Sequence, residues 1–573
     1  MNRTAATREV PSPTRRRDLV IVALVTAALL LPFSGKAFHI DDTLFVWAGR
    51  HILEKPFPFY WFDVNWYGAD MAMYQVMKNP PLTSYFIAIA ASIAGWSERA
   101  LHLAFLLPAI GLGTAIYLIA ERLTRLPLIA TLAALVTPVF LVSGTNVMSD
   151  VLMLCIWSWA VYFWIRGGGE NRPGLVLVAG LLIALATFTK YYAMSLVPLL
   201  GVYSLYKRER PRVWAPGLVL AVVLLVVYQE LTKEVYGRGL LLDAAAYASN
   251  VGPALVGNKL EKLFIGLSFA GGCLATLLFY WGFVWKKKAL VFWAILFIVL
   301  IPFIANARSL ERLLYYTRQN QLDWGYVAQV SLFVVAGLSL LALAVRDFIA
   351  TREAGSLLLL LWVLGTFVFA AFVNWTNNGR SNLPMIPAGG ILIARALERR
   401  YGRRPGARRW PLFVPLAPAL VLSLMVSYAD YAFANSARSV AQLVKTRYID
   451  LGERVWFQGH WGFQYYMEAF GARPLNLQTP QILPGDIVVR SENNYIVPRL
   501  PEYYFNVTVL DIIENPLPRT MAVMSFRPMA AGFYSSVFGA LPFVLGHTEN
   551  DVYRIIRLNS PKAMDRPAAL RQE

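Results

Sequence analysis

Asp41 and Asp42 stand side by side in His39-Ile40-Asp41-Asp42, just beyond the first long apolar stretch of the chain. Two carboxylates brought together at a bilayer surface repel each other and lose hydration, so the pairing calls for a reason. One such group can orient or deprotonate a hydroxyl or amine arriving from water while its reaction partner arrives in lipid, which is general-base chemistry at a membrane face. Asp42 has a plainer reading as the N-cap of a helix beginning at Thr43, but that leaves Asp41 without a role. From Thr43 to Leu53, the residues Leu44, Trp47, Ala48 and Ile52 recur at helical spacing, which predicts an amphipathic helix lying in the interface plane. Aromatics follow at Phe57, Phe59, Tyr60, Trp61, Phe62, Trp66 and Tyr67; they read as interfacial anchors ahead of sugar-stacking groups. Then Asn79-Pro80-Pro81-Leu82 makes a rigid stop before a shorter apolar helix reaching about Ala94.

A membrane bundle must position these residues. Of 573 residues, 57% are hydrophobic and 15% charged, and the long apolar runs exclude an ordinary soluble fold. The net charge of +19 does not mark a nucleic-acid partner, because Lys and Arg cluster in short loops between apolar runs as topology signals. Cys155 and Cys273 sit inside apolar runs, out of place for a disulfide or a metal. Arg15-Arg16-Arg17 precede a first span without a convincing small-residue cleavage site, read as an uncleaved insertion signal. Apolar segments from Leu19–Phe33 to Trp410–Ser427 predict about thirteen transmembrane helices, several shorter than the roughly 20 residues of an untilted crossing.

With the N-terminus cytoplasmic, every inner loop is basic, from Arg122 and Arg125 to the run Arg399 to Arg409. The short outer loops carry little besides Arg99, Lys190 and Arg380. Residues 35–100, 232–262, 304–324 and the tail then lie outside a cell inner (plasma) membrane. The expected division is a transmembrane catalytic domain over 1–428 and a small extracytoplasmic α/β domain over 429–573. The tail's turn signal Pro484-Gly485-Asp486 and strand-like Asp486-Ile487-Val488-Val489 support that reading.

Phe38-His39-Ile40-Asp41-Asp42, the amphipathic helix and Asn79-Pro80-Pro81-Leu82 together resemble the first external loop of the GT-C superfamily. These are membrane glycosyltransferases that use polyprenyl-phosphate-linked sugars, and the branches most similar are the protein O-mannosyltransferases and the lipid A aminoarabinose transferases. The resemblance implies an α-helical polytopic GT-C-like bundle, a polyprenyl-phosphate-linked sugar donor in membrane lipid, and a glycan, lipid or protein acceptor. It implies Asp41 as the catalytic base, with Asp42 supporting it or binding acceptor. Asp150 in Met148-Ser149-Asp150, Lys190 in Thr187-Phe188-Thr189-Lys190 and Arg380 in Gly379-Arg380-Ser381-Asn382-Leu383-Pro384 match further family positions, and the topology sets all three on the outer side. The aminoarabinose branch has Lys directly before Pro-Pro; this chain has Asn79 there and Lys78 one earlier, a departure from that branch's phosphate-binding pattern.

A polyprenyl-phosphate sugar is already activated, and the chain carries no Walker-type loop: Gly167-Gly168-Gly169 lacks the following Lys-Ser/Thr. A base such as Asp41 is worth about 10²–10⁴-fold. Lys190 and Arg380 would hold the phosphate, with Arg308 and Arg312 as weaker candidates and with Asp150 and Asn79 on acceptor or cation. Direct displacement would invert the anomeric centre. Plainer readings stand beside these: Lys190 and Arg380 snorkelling from helix ends, Asp150 capping its span, Arg308 and Arg312 solvated on a surface helix. Trp456, Phe457, His460, Trp461, Tyr465 and Tyr466 read as a domain core ahead of a glycan platform. Asn374-Trp375-Thr376 and Asn506-Val507-Thr508 fit glycosylation acceptors, a pattern that also arises by chance. No cofactor or metal is expected, with a divalent cation among Asp41, Asp42, Asp150 and His39 as the open alternative. The competing function is a transporter or flippase of lipid-linked sugars, which would place ionisable groups at mid-membrane depth and show internal repeats. A non-catalytic receptor or assembly subunit is a third reading.

Overall fold

The computed structural model describes residues 13–255, 258–315, 321–401, 410–492, 500–525, 531–546 and 548–562. Within them, seven helices are long and apolar enough to cross a membrane: Glu98–Leu123, Ser149–Gly169, Pro211–Tyr236, Lys287–Asn306, Trp324–Thr351, Ala354–Val373 and Trp410–Leu451. Two bent pairs, Pro127–Leu135 with Pro138–Gly144 (65°) and Lys259–Cys273 with Thr276–Val284 (83°), raise the number to nine if each is one span. Each apolar segment of the sequence falls on helical structure, but length and composition assign only these seven to nine as crossings.

The breaks have local causes. Pro138 lacks an N–H and holds Thr137 extended (φ −82°, ψ 144°); the Thr137 hydroxyl then accepts from Phe140 N at 3.3 Å and starts a new helix. The second break follows Gly271 and Gly272. A Cβ on Gly271 would stand 1.9 Å from Phe333 O, so this helix meets Trp324–Thr351 backbone to backbone, as small residues permit in membranes. Trp157, Trp164 and Trp362 fill the bundle interior. Pro211–Tyr236 and Lys287–Asn306 keep Val219, Val226, Ile298 and Val299 exposed, the dress of lipid-facing helices.

The first loop holds the expected helix at Asp42–Glu54, with Leu44, Phe45, Ala48 and Ile52 buried against the rest of the protein. Its partner is the helix Leu82–Ala94. Between them the aromatic stretch closes into an unexpected hairpin, Asp63–Trp66 paired antiparallel with Ala69–Ala72. Tyr67 (φ 56°) and Gly68 (φ 77°) give the two left-handed positions that a two-residue hairpin turn requires.

The helix Leu416–Arg447 runs unbroken through position 428, and strands begin only at Val455. A five-stranded sheet follows in the order Arg473–Pro474, Val455–Gln458, Ile487–Ser491, Asp551–Pro561, Phe505–Asn515, parallel across its first three strands and antiparallel beyond. Alternation puts Val455, Phe457, Val489 and Ile555 on one face with the helix Trp461–Ala469, and Trp456, Val488 and Ile556 on the other. This region grips the first loop. Leu477 N donates to Gly68 O at 2.6 Å and Gln464 Nε2 to Asn65 O at 2.8 Å. A Cβ on Gly462 would lie 2.2 Å from Phe38 O, so the tail helix sits directly on the backbone leading to Asp41.

Candidate active site

Asp41 occupies the N-cap position of the first-loop helix, yet its carboxylate makes no cap bond. It accepts instead from Arg380 Nη2 at 2.8 Å. The cap expected of Asp42 is absent because the helix begins at Asp42 itself. Asp42 is fully buried; its Oδ2 accepts from His39 N at 2.8 Å and its Oδ1 from Val147 N at 2.9 Å. Burial pushes its pKa up to about 7, against the opposing pull of Lys36 and the two amides. Asp42 thus joins the backbone before Asp41 to the backbone before Asp150 and does not reach the cavity described below.

Arg380 projects from a short turn, Gly379–Asn382, whose cap Asn378 accepts from Ser381 N at 2.8 Å. Its Nη1 lies 2.8 Å from Met148 Sδ and 3.9 Å from Asp150 Oδ2, and its guanidinium sits 5.5 Å over the Tyr534 ring. Burial opposes its charge, but Asp41 and Asp150 hold its pKa above the usual range. Lys190 Nζ donates to Asp150 Oδ1 at 2.5 Å. The four side chains form one alternating row, Asp41, Arg380, Asp150, Lys190, drawn from four separate stretches of sequence.

A cavity of about 530 Å³ opens beside the row. Its charged lining is Asp41 against Lys78, Lys190, Lys262 and Arg380, one carboxylate to four cations, and Asn79 belongs to the same wall. Leu241, Phe369, Phe372 and Val373 make an apolar side, the last three carried on a wide π-turn that ends the helix Ala354–Val368. Lys78 donates to Asp243 Oδ2 at 2.6 Å.

Other expected residues lie elsewhere. Arg308 is exposed and does not line this cavity; the side chain of Arg312 falls outside the described residues. His39 points away from Asp41, with Nε2 3.6 Å from Asp430 Oδ1. Asp41, Asp42, Asp150 and His39 are the group considered for a divalent cation. Among the described residues no three His, Cys, Asp or Glu side chains gather to hold a metal, and Arg380, Lys190 and backbone amides already occupy these carboxylates. Trp456, Phe457 and Tyr466 are buried, while His460 packs 5.4 Å from the ring of Trp66. Asn374 is tied to Ser381 Oγ at 2.8 Å and Thr376 is fully buried, so that triplet is cavity wall. Asn506 stays exposed.

A second layer went unread in the sequence. Lys36 and Asp430 form a fully buried ion pair behind the row. Lys36 Nζ also donates to Asn146 Oδ1 at 2.5 Å, Asn146 Nδ2 to Tyr534 OH at 3.0 Å, and Tyr534 OH to Asp430 Oδ1 at 2.9 Å. The available signal was two lone opposite charges, Lys36 and Asp430, set in apolar surroundings.

Residues 78–231 match the dolichyl-phosphate-mannose-protein mannosyltransferase family. Solved structures similar to the chain include the archaeal oligosaccharyltransferase AglB from Archaeoglobus fulgidus in complex with an inhibitory peptide and a dolichol-phosphate (14% identity, TM-score 0.46, covering 87% of this chain and 73% of that one). Another is ArnT from Cupriavidus metallidurans bound to undecaprenyl phosphate (15% identity, TM-score 0.45, 85% and 97%). A third is the arabinosyltransferase EmbB from Mycobacterium smegmatis (12% identity, TM-score 0.32, 91% and 49%). No curated protein matches the chain.

Proposed function

We propose that this chain is a GT-C superfamily membrane glycosyltransferase that moves a hexosyl or pentosyl group from a polyprenyl-phosphate donor to an acceptor at the extracytoplasmic face, with inversion of the anomeric carbon. The observation that carries the reading is the Asp41–Arg380 contact in a cavity lined by four cations and by the apolar side chains Leu241, Phe369, Phe372 and Val373. The lipid chain would lie along Leu241, Phe369 and Phe372, and its phosphate would reach Arg380 and Lys190.

A phosphate arriving at Arg380 competes with Asp41 for the guanidinium. Asp41, released from that ion pair, becomes free to accept a proton from the acceptor hydroxyl or amine. The acceptor atom bonds to the anomeric carbon, the bond from that carbon to the phosphate oxygen breaks, and its electron pair stays on the phosphate beside Arg380. Asp150 holds Lys190 and Arg380 from behind. Asp42 is too deep to touch an acceptor and acts through the backbone it pins. The basic inner loops support a multi-pass inner-membrane protein with a cytoplasmic N-terminus.

The test incubates purified protein with a panel of radiolabelled polyprenyl-phosphate sugars and envelope fractions. Label passing to a glycan, lipid or protein acceptor, and lost in a normally expressed Asp41→Asn variant, supports the reading. Label that crosses a liposome bilayer without covalent transfer points to the flippase instead.

A further inference from the structure

The segment 531–536 of the tail is built into the wall that carries Arg380. Phe533 O accepts from Gly379 N at 2.6 Å, and a Cβ on Gly379 would stand 2.6 Å from the Phe533 ring. Ser536 N donates to Asn377 O at 2.7 Å, and Ser535 Oγ lies 2.9 Å from Thr376 Oγ1. Between these strap contacts, Tyr534 turns its ring under the Arg380 guanidinium at 5.5 Å. Its hydroxyl is not left to water: it donates to Asp430 Oδ1 at 2.9 Å and accepts from Asn146 Nδ2 at 3.0 Å.

Asp430 in turn is held by Lys36, and Lys36 by Asn146. Tyr534, Asp430, Lys36 and Asn146 are all buried. A buried polar ring costs more to assemble than an apolar plug of the same shape, and its members fix one another's orientation. Asn146 and Val147 belong to the loop that delivers Asp150; Lys36 belongs to the stretch that delivers Asp41. The ring therefore joins the stretches that deliver two of the four members of the charged row, Asp41 and Asp150, and within the ring Tyr534 also touches a third, the Arg380 guanidinium, through its π face.

We propose that Tyr534, anchored by Asp430 and Lys36, is a positioning residue contributed by the tail, which holds Arg380 at the angle that meets a donor phosphate. The proposal rests on the transferase reading for its kinetic arm, and its first measurement does not use substrate at all. Phenylglyoxal modifies exposed guanidinium groups, and the rate at Arg380 is read by mass spectrometry of its peptide. Tyr534→Leu removes ring and hydroxyl; Tyr534→Phe keeps the ring and cuts its anchor. Loss of a partly desolvated cation–π contact corresponds to a change of about 3- to 30-fold. Arg380 modification is expected to rise by that factor in Tyr534→Leu and by a smaller factor in Tyr534→Phe.

In the kinetic arm, the donor KM is expected to rise by a similar factor while the acceptor KM stays within about twofold. A merely structural role would lower the amount of folded protein without splitting the two KM values. Arg380 reactivity equal to wild type in both variants overturns the proposal, and in Tyr534→Phe alone if the leucine variant does not fold. Raised reactivity in a protein that transfers no sugar with any donor leaves the positioning role standing and removes the transferase reading.

Discussion

Arg380 Nη2 donates to Asp41 Oδ2 at 2.8 Å across 339 positions of sequence. The same guanidinium approaches Asp150, so one cation serves two carboxylates, and whatever anion displaces Asp41 must still contend with Asp150. Under the proposed reading, a donor phosphate would take the place of Asp41 on this guanidinium.

Asp41→Asn keeps the shape and loses the proton acceptor. Transfer is expected to fall by at least about 10²-fold, with binding of undecaprenyl phosphate retained in a thermal-shift titration. Transfer within threefold of wild type would remove Asp41 from the role of base.

Arg380→Lys retains charge but not the planar fork that reaches two acceptors. Polyprenyl-phosphate affinity is expected to drop by about tenfold, the loss of one charge-assisted hydrogen bond. An unchanged dissociation constant would show that the phosphate sits elsewhere in the cavity.

Lys190→Met leaves Asp150 buried beside a single, more distant cation. The stability loss is expected to be about 3–5 kcal/mol, whereas Lys190→Met combined with Asp150→Leu recovers most of it without recovering transfer. Thermal unfolding in detergent reads the first statement and the radiolabel assay the second; a double variant that transfers normally contradicts the assignment of both residues.

Asp42 gives a pH signature. Its folded pKa, about 7, exceeds the ordinary carboxylate value of 3.8, so between these values the folded chain holds a proton that the unfolded chain has released. This contribution is fully present below pH 3.8, declines as pH rises through the window, and is gone above about 7. The unfolding temperature of wild type should therefore fall more steeply from pH 5 to pH 8 than that of Asp42→Asn. Parallel curves would mean that Asp42 is charged throughout.

Chelation addresses the cation alternative. With the row's carboxylates committed to Arg380 and Lys190, EDTA is expected to change the transfer rate by less than about twofold, since a metal-activated reaction would lose several kcal/mol of stabilisation. A collapse of rate restored by a divalent ion would require Asp41 and Asp150 to part from their cations.

What the sequence disclosed follows from range. The first-loop helix Asp42–Glu54 and the helix Leu82–Ala94 were legible because spacing and a double proline are local signals. Asp41, Asp150, Lys190 and Arg380 were picked out by the family resemblance and set on one side of the membrane by the loop charges, and they meet in the fold. The 63–72 hairpin was hidden because its aromatics also suit membrane anchoring. The Lys36–Asp430–Tyr534 ring was illegible for a stronger reason: each member is an isolated polar residue until the chain is folded, and nothing nearby in sequence names its partner. Arg308 looked suitable by charge and loop alone, and exposure set it aside.

The attachment of Tyr534 beneath Arg380 also has a meaning for how the protein is made. Ribosomes deliver Asp41 to the bilayer hundreds of residues before the strap that underlies Arg380, so a growing polypeptide owns its carboxylates long before it owns a finished pocket. Arg380 thus gains the ring beneath it only after the late-emerging segment folds back.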